Sequence, residues 1–231
     1  YSEMITAEAL LHGSAKKYLH FNNQEHPVAL QLGGSNPYKL KQSAILAEQE
    51  GYDEINLNIG CPSERVQKGS FGACLMEDPN LVADCVDAMI NAVDIPISVK
   101  TRIGIDDYDS YEFLYNFIKI VSETGCSRFI IHARKAILSG LSPKENRSIP
   151  PLNYDRVYRI KSDFKHLYIT LNGGIKNLDD CKKNLNILDG VMIGRHAYHQ
   201  PWFLHELKLL DESAKYDQLK REDIIELMYP Y

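Results

Sequence analysis

The chain has 231 residues, 44% of them hydrophobic, enough for one large core or two small ones. Its net charge of −5 does not announce a polyanion binder, and no apolar run approaches the roughly 18 residues of a membrane span. Five cysteines, at 61, 74, 85, 126 and 181, include no CxxC pair, which reads as reduced thiols in a cytoplasmic protein and argues against a disulfide framework, a zinc site or any other metal centre.

The opening, YSEMITAEALL, has no initiator methionine and reads as a strand running into a helix; the closing REDIIELMYPY follows a helical pattern. Both ends are expected to be cut from a longer polypeptide. Short apolar runs then recur in chain order: 2–5, 28–32, 54–58, 97–101, 128–133, 168–174 and 190–195. Between them lie amphipathic segments. Residues 36–51 carry apolar residues at helical spacing with Gly51 as the stop, and 78–93 open with Asp78 as N-cap and Pro79 in the first turn. Strands alternating with helices predict a parallel sheet with right-handed crossovers. An α/β fold of the (β/α)8 TIM-barrel type, its first strand missing from this chain, fits seven runs. The rival open sheet should carry a G-x-G-x-x-G turn, and none is present. The barrel is predicted over residues 1–200, and 201–231, where the alternation stops, as the start of a helical domain.

Most of the strand runs end in polar residues: Gln31, Asn58, Lys100 and Arg102, His132 and Arg134, Asn172, and Arg195. Taken singly, each has a plain structural explanation, as a satisfied core amide or a surface charge. Unpaired polar groups in a sheet cost about 1–3 kcal/mol each, so the recurrence argues for a shared site at the carboxyl-terminal rim. NGG (172–174) and GR (194–195) close the last two strands, where barrels often hold a phosphate between glycine amides and a basic fork. Lys100 lies across the mouth from that site, as a Schiff-base amine or as a fixed charge beside an anionic cofactor.

The stretch EINLNIGCPSERVQKGSFGACL (54–75) runs from an apolar strand into a Gly-rich loop, with Cys61 between Gly60 and Pro62. An arbitrary cysteine there is a small residue filling a turn. The run NLNIGCPSERVQKGSFGACLM, however, resembles the active-site loop of the tRNA-dihydrouridine synthases, flavoenzymes that reduce uridine in transfer RNA. The resemblance continues through VKTRIG, IHARKAILSGLSPKENR, NGGI and DGVMIGR, and HARKAILSGLSPKENRSIPPLNYDRVY is similar to the A-type bacterial subfamily, which acts on D-loop uridines 20/20a.

That resemblance implies an FMN-binding barrel reduced by NADPH or NADH, followed by a helical domain that grips tRNA. It places Gln31, Lys100, His132, Asn172, Gly173, Gly174, Gly194 and Arg195 at flavin-binding positions. Cys61 falls on the proton donor and Asn58 beside the target base. Lys144 and Arg147 fall on tRNA contacts, and Arg134 near the substrate. The family's first strand, with its Pro-Met pair, and most of its helical domain are absent from this sequence. A thiol with an ordinary pKa of about 8.5 is protonated near neutrality yet close enough to it to serve as a general acid. Lys100 is expected to lie against the flavin rather than against Cys61. Together with Arg102, Lys135 and the other rim cations it offers a basic face to phosphates on an otherwise acidic protein. Two other readings of the residues are a lyase or isomerase of a phosphorylated substrate that uses Lys100, and a non-catalytic RNA-binding barrel. The four remaining cysteines read as structural.

Overall fold

The structure is a computed structural model and describes residues 1–208 and 220–229. Seven strands form one sheet: β1 (Ile5–Thr6), β2 (Ala29–Gly33), β3 (Glu54–Ile59), β4 (Ile97–Arg102), β5 (Arg128–His132), β6 (Tyr168–Asn172) and β7 (Gly190–Met192). They stand in sequence order, and every neighbouring pair is parallel. With helices between successive strands, this is the architecture of a (β/α) barrel. No ladder joins β7 to β1 among the described residues, so the cylinder is not closed.

Strand alternation divides the sheet into two faces. Leu30, Leu32, Ile55, Leu57, Val99 and Phe129 are fully buried toward the helices. The alternate positions (Gln31, Asn56, Asn58, Ser98, Lys100, Arg102, His132 and Asn172) face the barrel interior. The helices carry the predicted caps. Asn36 Oδ1 accepts from the Lys39 amide at the head of Pro37–Gln49, and Asp78 Oδ1 accepts from the Leu81 amide at the head of Pro79–Ile90. Gly51 follows the first of these helices at φ +90°, a backbone that glycine adopts without penalty.

Several expected boundaries move. Of residues 2–5 only Ile5 belongs to β1; Ser2 instead donates its amide to the Ala29 carbonyl and accepts the Gln31 amide on Oγ. The 168–174 run stops at Asn172 because Gly173 and Gly174 sit at φ +111° and +80°, outside the β region. The 190–195 run ends as a strand at Met192. The helices predicted over 36–51 and 78–93 span Pro37–Gln49 and Pro79–Ile90. Gln31 is mid-strand, and Lys100 lies two residues before the end of β4. Within 201–231, Trp202–Lys208 and Arg221–Met228 are helical, with the Arg221 guanidinium 4.9 Å from the Trp202 ring centre. The rest of that predicted segment, 209–219 and 230–231, lies outside the described residues. Among the described residues no helix is long and apolar enough to cross a membrane.

Candidate active site

The turn after β3 is built by its own last amide. Asn58 Oδ1 accepts from the backbone N–H groups of Gly60 (3.0 Å) and Cys61 (2.9 Å), which folds the chain over the strand end. Cys61 is half-buried and free, with Sγ 3.6 Å from Ser63 Oγ. The Ala73 amide donates to the Cys61 carbonyl, and Gly72, at φ +76°, lets the returning loop approach so closely that a Cβ there would stand 2.7 Å from that carbonyl oxygen. Two side chains clamp the corner from outside. Gln67 Nε2 donates to both the Pro62 and Leu138 carbonyls, at 2.9 and 2.8 Å. Arg102 donates from Nε to the Gly60 carbonyl (3.1 Å) and from Nη1 to the Asn146 carbonyl (3.0 Å).

Strand register lines up the interior groups. Asn58 pairs with Lys100, Arg102 with His132, His132 with Asn172, and Asn172 with Met192. Burial pushes the Lys100 ammonium down to about 8, and neighbouring Arg102 pushes the same way. The Lys100 side chain makes no hydrogen bond or ion pair with any described residue, while its backbone lies in the ladders to β3 and β5. It does, however, sit within electrostatic reach of Cys61, as does Arg102. Arg102 is itself only 4% exposed and has no carboxylate partner among the described residues. Burial, then the charges of Arg102, Lys100, Arg134 and Arg195, drive His132 down to about 2, so its imidazole is neutral and offers one N–H and one lone pair. Arg134 donates from Nη1 to the Pro150 carbonyl, while its buried Nε has no partner among the described residues.

Beside His132 opens a cavity of about 490 Å³, walled by Asn172, Gly173, Gly174, Gly194 and Arg195. That volume falls in the ordinary range of small-molecule sites, about 300–1,000 Å³. Tyr154 Oη donates to the Gly173 carbonyl (2.6 Å), and Asn172 Nδ2 donates to the Met192 carbonyl (2.9 Å), which fixes both walls. Arg195 Nη2 is held by the Arg147 carbonyl. Arg147, Lys176 and Arg195 line the cavity and, among the described residues, no carboxylate does, so its chemistry suits an anion. Glycines on the wall let a ligand approach the backbone. These residues fit a phosphate-bearing flavin such as FMN.

The segment after β5 carries the other predicted contacts. Lys144 is exposed at its tip, and Arg147 is exposed on the edge of the cavity. Asn146, fully buried between them, ties the segment together by accepting the Ile137 amide and donating to the Ile137 and Leu141 carbonyls. The structure thus gathers Lys100, His132, Asn172, Gly173, Gly174, Gly194 and Arg195 at one end of the barrel, with Cys61 and Asn58 on the adjoining corner. Gln31 lies deeper and reaches the corner only through Asn58. Cys85, Cys126 and Cys181 are buried, and burial pushes the Cys85 and Cys126 thiols up to about 12, as befits packing residues. Sequence reasoning gives no role to Gln67 or Asn146, and only a rim charge to Arg102. Gln67 ties its own loop to the distant Leu138 carbonyl, and Asn146 bonds carbonyls of its own loop; neither residue carries a mark of that role in the sequence. The basic residue two positions after Lys100 is a visible one.

A match to the family described as dihydrouridine synthase (Dus) spans residues 1–231. A protein named tRNA-dihydrouridine(20/20a) synthase from Vibrio vulnificus (strain CMCP6) is 60% identical over 232 residues, covering 100% of this chain and 71% of its own length. Proteins with the same name from Shewanella oneidensis and Escherichia coli (strain K12) are each 58% identical, with 100% of this chain and 69% and 67% of their own lengths covered.

Proposed function

Since the chain belongs to the dihydrouridine synthase family, we propose that it reduces uridine to 5,6-dihydrouridine in the D-loop of tRNA, with Cys61 as proton donor. The observation that carries the reading is the juxtaposition of a free thiol, on a corner held by Asn58, with a cavity lined by Arg147, Lys176 and Arg195 at the same end of the barrel. It is tested by nucleoside mass spectrometry of tRNA from cells lacking the protein. Dihydrouridine at positions 20/20a should disappear, and its persistence there would refute the assignment.

Lys100, His132, Asn172, Gly173, Gly174, Gly194 and Arg195, with Gln31 beneath, would hold FMN. When bound and reduced by NADPH or NADH, FMN supplies the hydride to uracil C6. The chain's own residues do the rest. Arg195 and the glycine wall bind phosphate, and neutral His132 offers a hydrogen bond without adding charge. Lys100 places a positive charge where an anionic ring system would need one. Cys61 Sγ gives its proton to C5, and the thiolate left behind faces Lys100 and Arg102. Asn58 stands beside the extruded base, and Arg134, Lys144 and Arg147 meet the RNA backbone. Residues 201–231 would begin a helical domain that adds to the tRNA grip. Free thiols throughout support a reducing, cytoplasmic compartment. A lysine brought down to about 8 has the property a Schiff-base nucleophile needs. Family membership nevertheless sets the lyase reading aside, and with it the non-catalytic one.

Two expectations follow for binding. The Lys100 charge is present below about 8 and is lost as pH rises through that value. Affinity for FMN should therefore fall between pH 7 and pH 9.5, by up to about tenfold. A fluorescence titration should show that fall flattened in Lys100→Met. Stability of the cofactor-free protein moves oppositely. The unfolded lysine keeps its proton up to about 10.5, so the cost of burying the charge is relieved as pH rises from about 8 toward 10.5. Lys144→Ala should weaken tRNA binding and reduce its salt slope by about 1, with flavin content unchanged. Loss of flavin would mean that Lys144 belongs to the cavity.

A further inference from the structure

We infer that Glu54, Ser98 and Asn56 are positioning residues, forming a one-way hydrogen-bond relay through the barrel interior that sets the amide orientation of Gln31 and Asn58 and thereby holds the Cys61 corner. The links are continuous. Ser98 Oγ donates to Glu54 Oε1 (2.5 Å), Asn56 Nδ2 to Ser98 Oγ (2.8 Å), Gln31 Nε2 to Asn56 Oδ1 (2.8 Å) and Asn58 Nδ2 to Gln31 Oε1 (2.8 Å). Asn58 Oδ1 then accepts the Gly60 and Cys61 amides. Asn56 and Ser98 are fully buried, so no water can replace a broken link without opening the interior.

Direction follows from the two ends. At the top, peptide N–H groups can only donate. At the bottom, the Glu54 carboxylate, ion-paired with Arg128 at 3.2 Å, can only accept. Asn58 must therefore show its oxygen to the corner and its NH₂ to Gln31. Gln31 must show its oxygen to Asn58 and its NH₂ to Asn56, and so on down to Glu54. Reversing any one amide sets donor against donor at one side and acceptor against acceptor at the other. The relay thus spans the interior from the amino end of the barrel, where Glu54 and Arg128 sit, to the reacting corner. It also fixes what remains for a ligand: the spare hydrogen that Asn58 presents is a donor. Glu54, Ser98 and Asn56 act through Gln31 and Asn58 and hold the corner from below, while Arg102 and Gln67 clamp it from outside.

The test is amide hydrogen exchange of the flavin-loaded enzyme, read by mass spectrometry on the peptide containing Gly60 and Cys61. Ser98→Ala should speed exchange of those two amides about fivefold, with the Tyr111–Ser122 helix unchanged, and Ser98→Thr, which keeps the hydroxyl, should restore protection. In an Asn58→Ala background, Ser98→Ala should add nothing. Should Ser98→Ala not fold, Glu54→Gln, which keeps an oxygen but can also present its NH₂ to Ser98, should speed exchange of the same amides about twofold. Unchanged exchange at Gly60 and Cys61, or an additive effect on the Asn58→Ala background, overturns the relay. A kinetic arm rests on the uridine-reductase reading: Ser98→Ala should slow oxidation of reduced flavin by tRNA about tenfold while its reduction by nicotinamide stays within about twofold. Equal slowing of both half-reactions also overturns the relay. The exchange result is independent of what the enzyme reduces, so an inactive parent enzyme refutes the function alone.

Discussion

Cys61→Ala is expected to lower the rate of uridine reduction by about 10²–10⁴-fold, the usual worth of a positioned general acid, while nicotinamide still bleaches the bound flavin. The split follows from where the thiol sits. It is on the corner beyond β3, held by the Asn58 oxygen through the Cys61 amide and not through its own side chain, so removing Sγ leaves the corner's backbone bonds in place. The cavity walls, from Asn172 to Arg195, belong to other strands. Stopped-flow absorbance would follow both half-reactions in one sample. Cys61→Ser, whose hydroxyl does not release a proton near neutrality, should be no better than alanine. Wild-type turnover in Cys61→Ala would remove the acid from this account altogether.

Gly173→Ala should cost the protein its flavin. At φ +111° an alanine is strained by about 1–3 kcal/mol, and its Cβ would stand 2.5 Å from His132 Cδ2 and 2.9 Å from Nε2. His132 is buried between its strand partners Arg102 and Asn172 and cannot retreat cheaply, so the ring or the 172–174 turn must shift into the cavity. Bound flavin, read from the absorbance of the purified protein, should fall at least about tenfold. Gly125→Ala separates collision from strain. Gly125 has φ +94°, but a methyl there would meet nothing within 4 Å, so this variant should lower the melting temperature and keep its flavin. Equal flavin content in the two variants would mean that the His132–Gly173 contact does not shape the cavity.

The barrel was legible because alternation of strands and helices is written locally, in Asp78-Pro79 ahead of one helix and Gly51 after another. Polar residues at the strand ends are legible too. Asn56 and Ser98, two positions before Asn58 and Lys100 on the same strand faces, are not singled out by the sequence. The register that joins these strands is non-local, and without it Asn56 and Ser98 had no partners to suggest a role. The same holds for Arg102, whose acceptors at Gly60 and Asn146 come from distant loops. The end of β6 before 173–174 was misjudged because glycine carries no outward mark of the sign of φ, and that of β7 before 193–195 because Gly194 caps the short helix Arg195–His199.

The most direct test of the whole account is an anaerobic single turnover. Enzyme carrying reduced flavin is mixed with tRNA lacking modifications, and the nucleosides are analysed by mass spectrometry. The account predicts dihydrouridine in the D-loop in amounts equal to the flavin oxidised. Flavin that stays reduced, or that is oxidised without any dihydrouridine appearing, would contradict it.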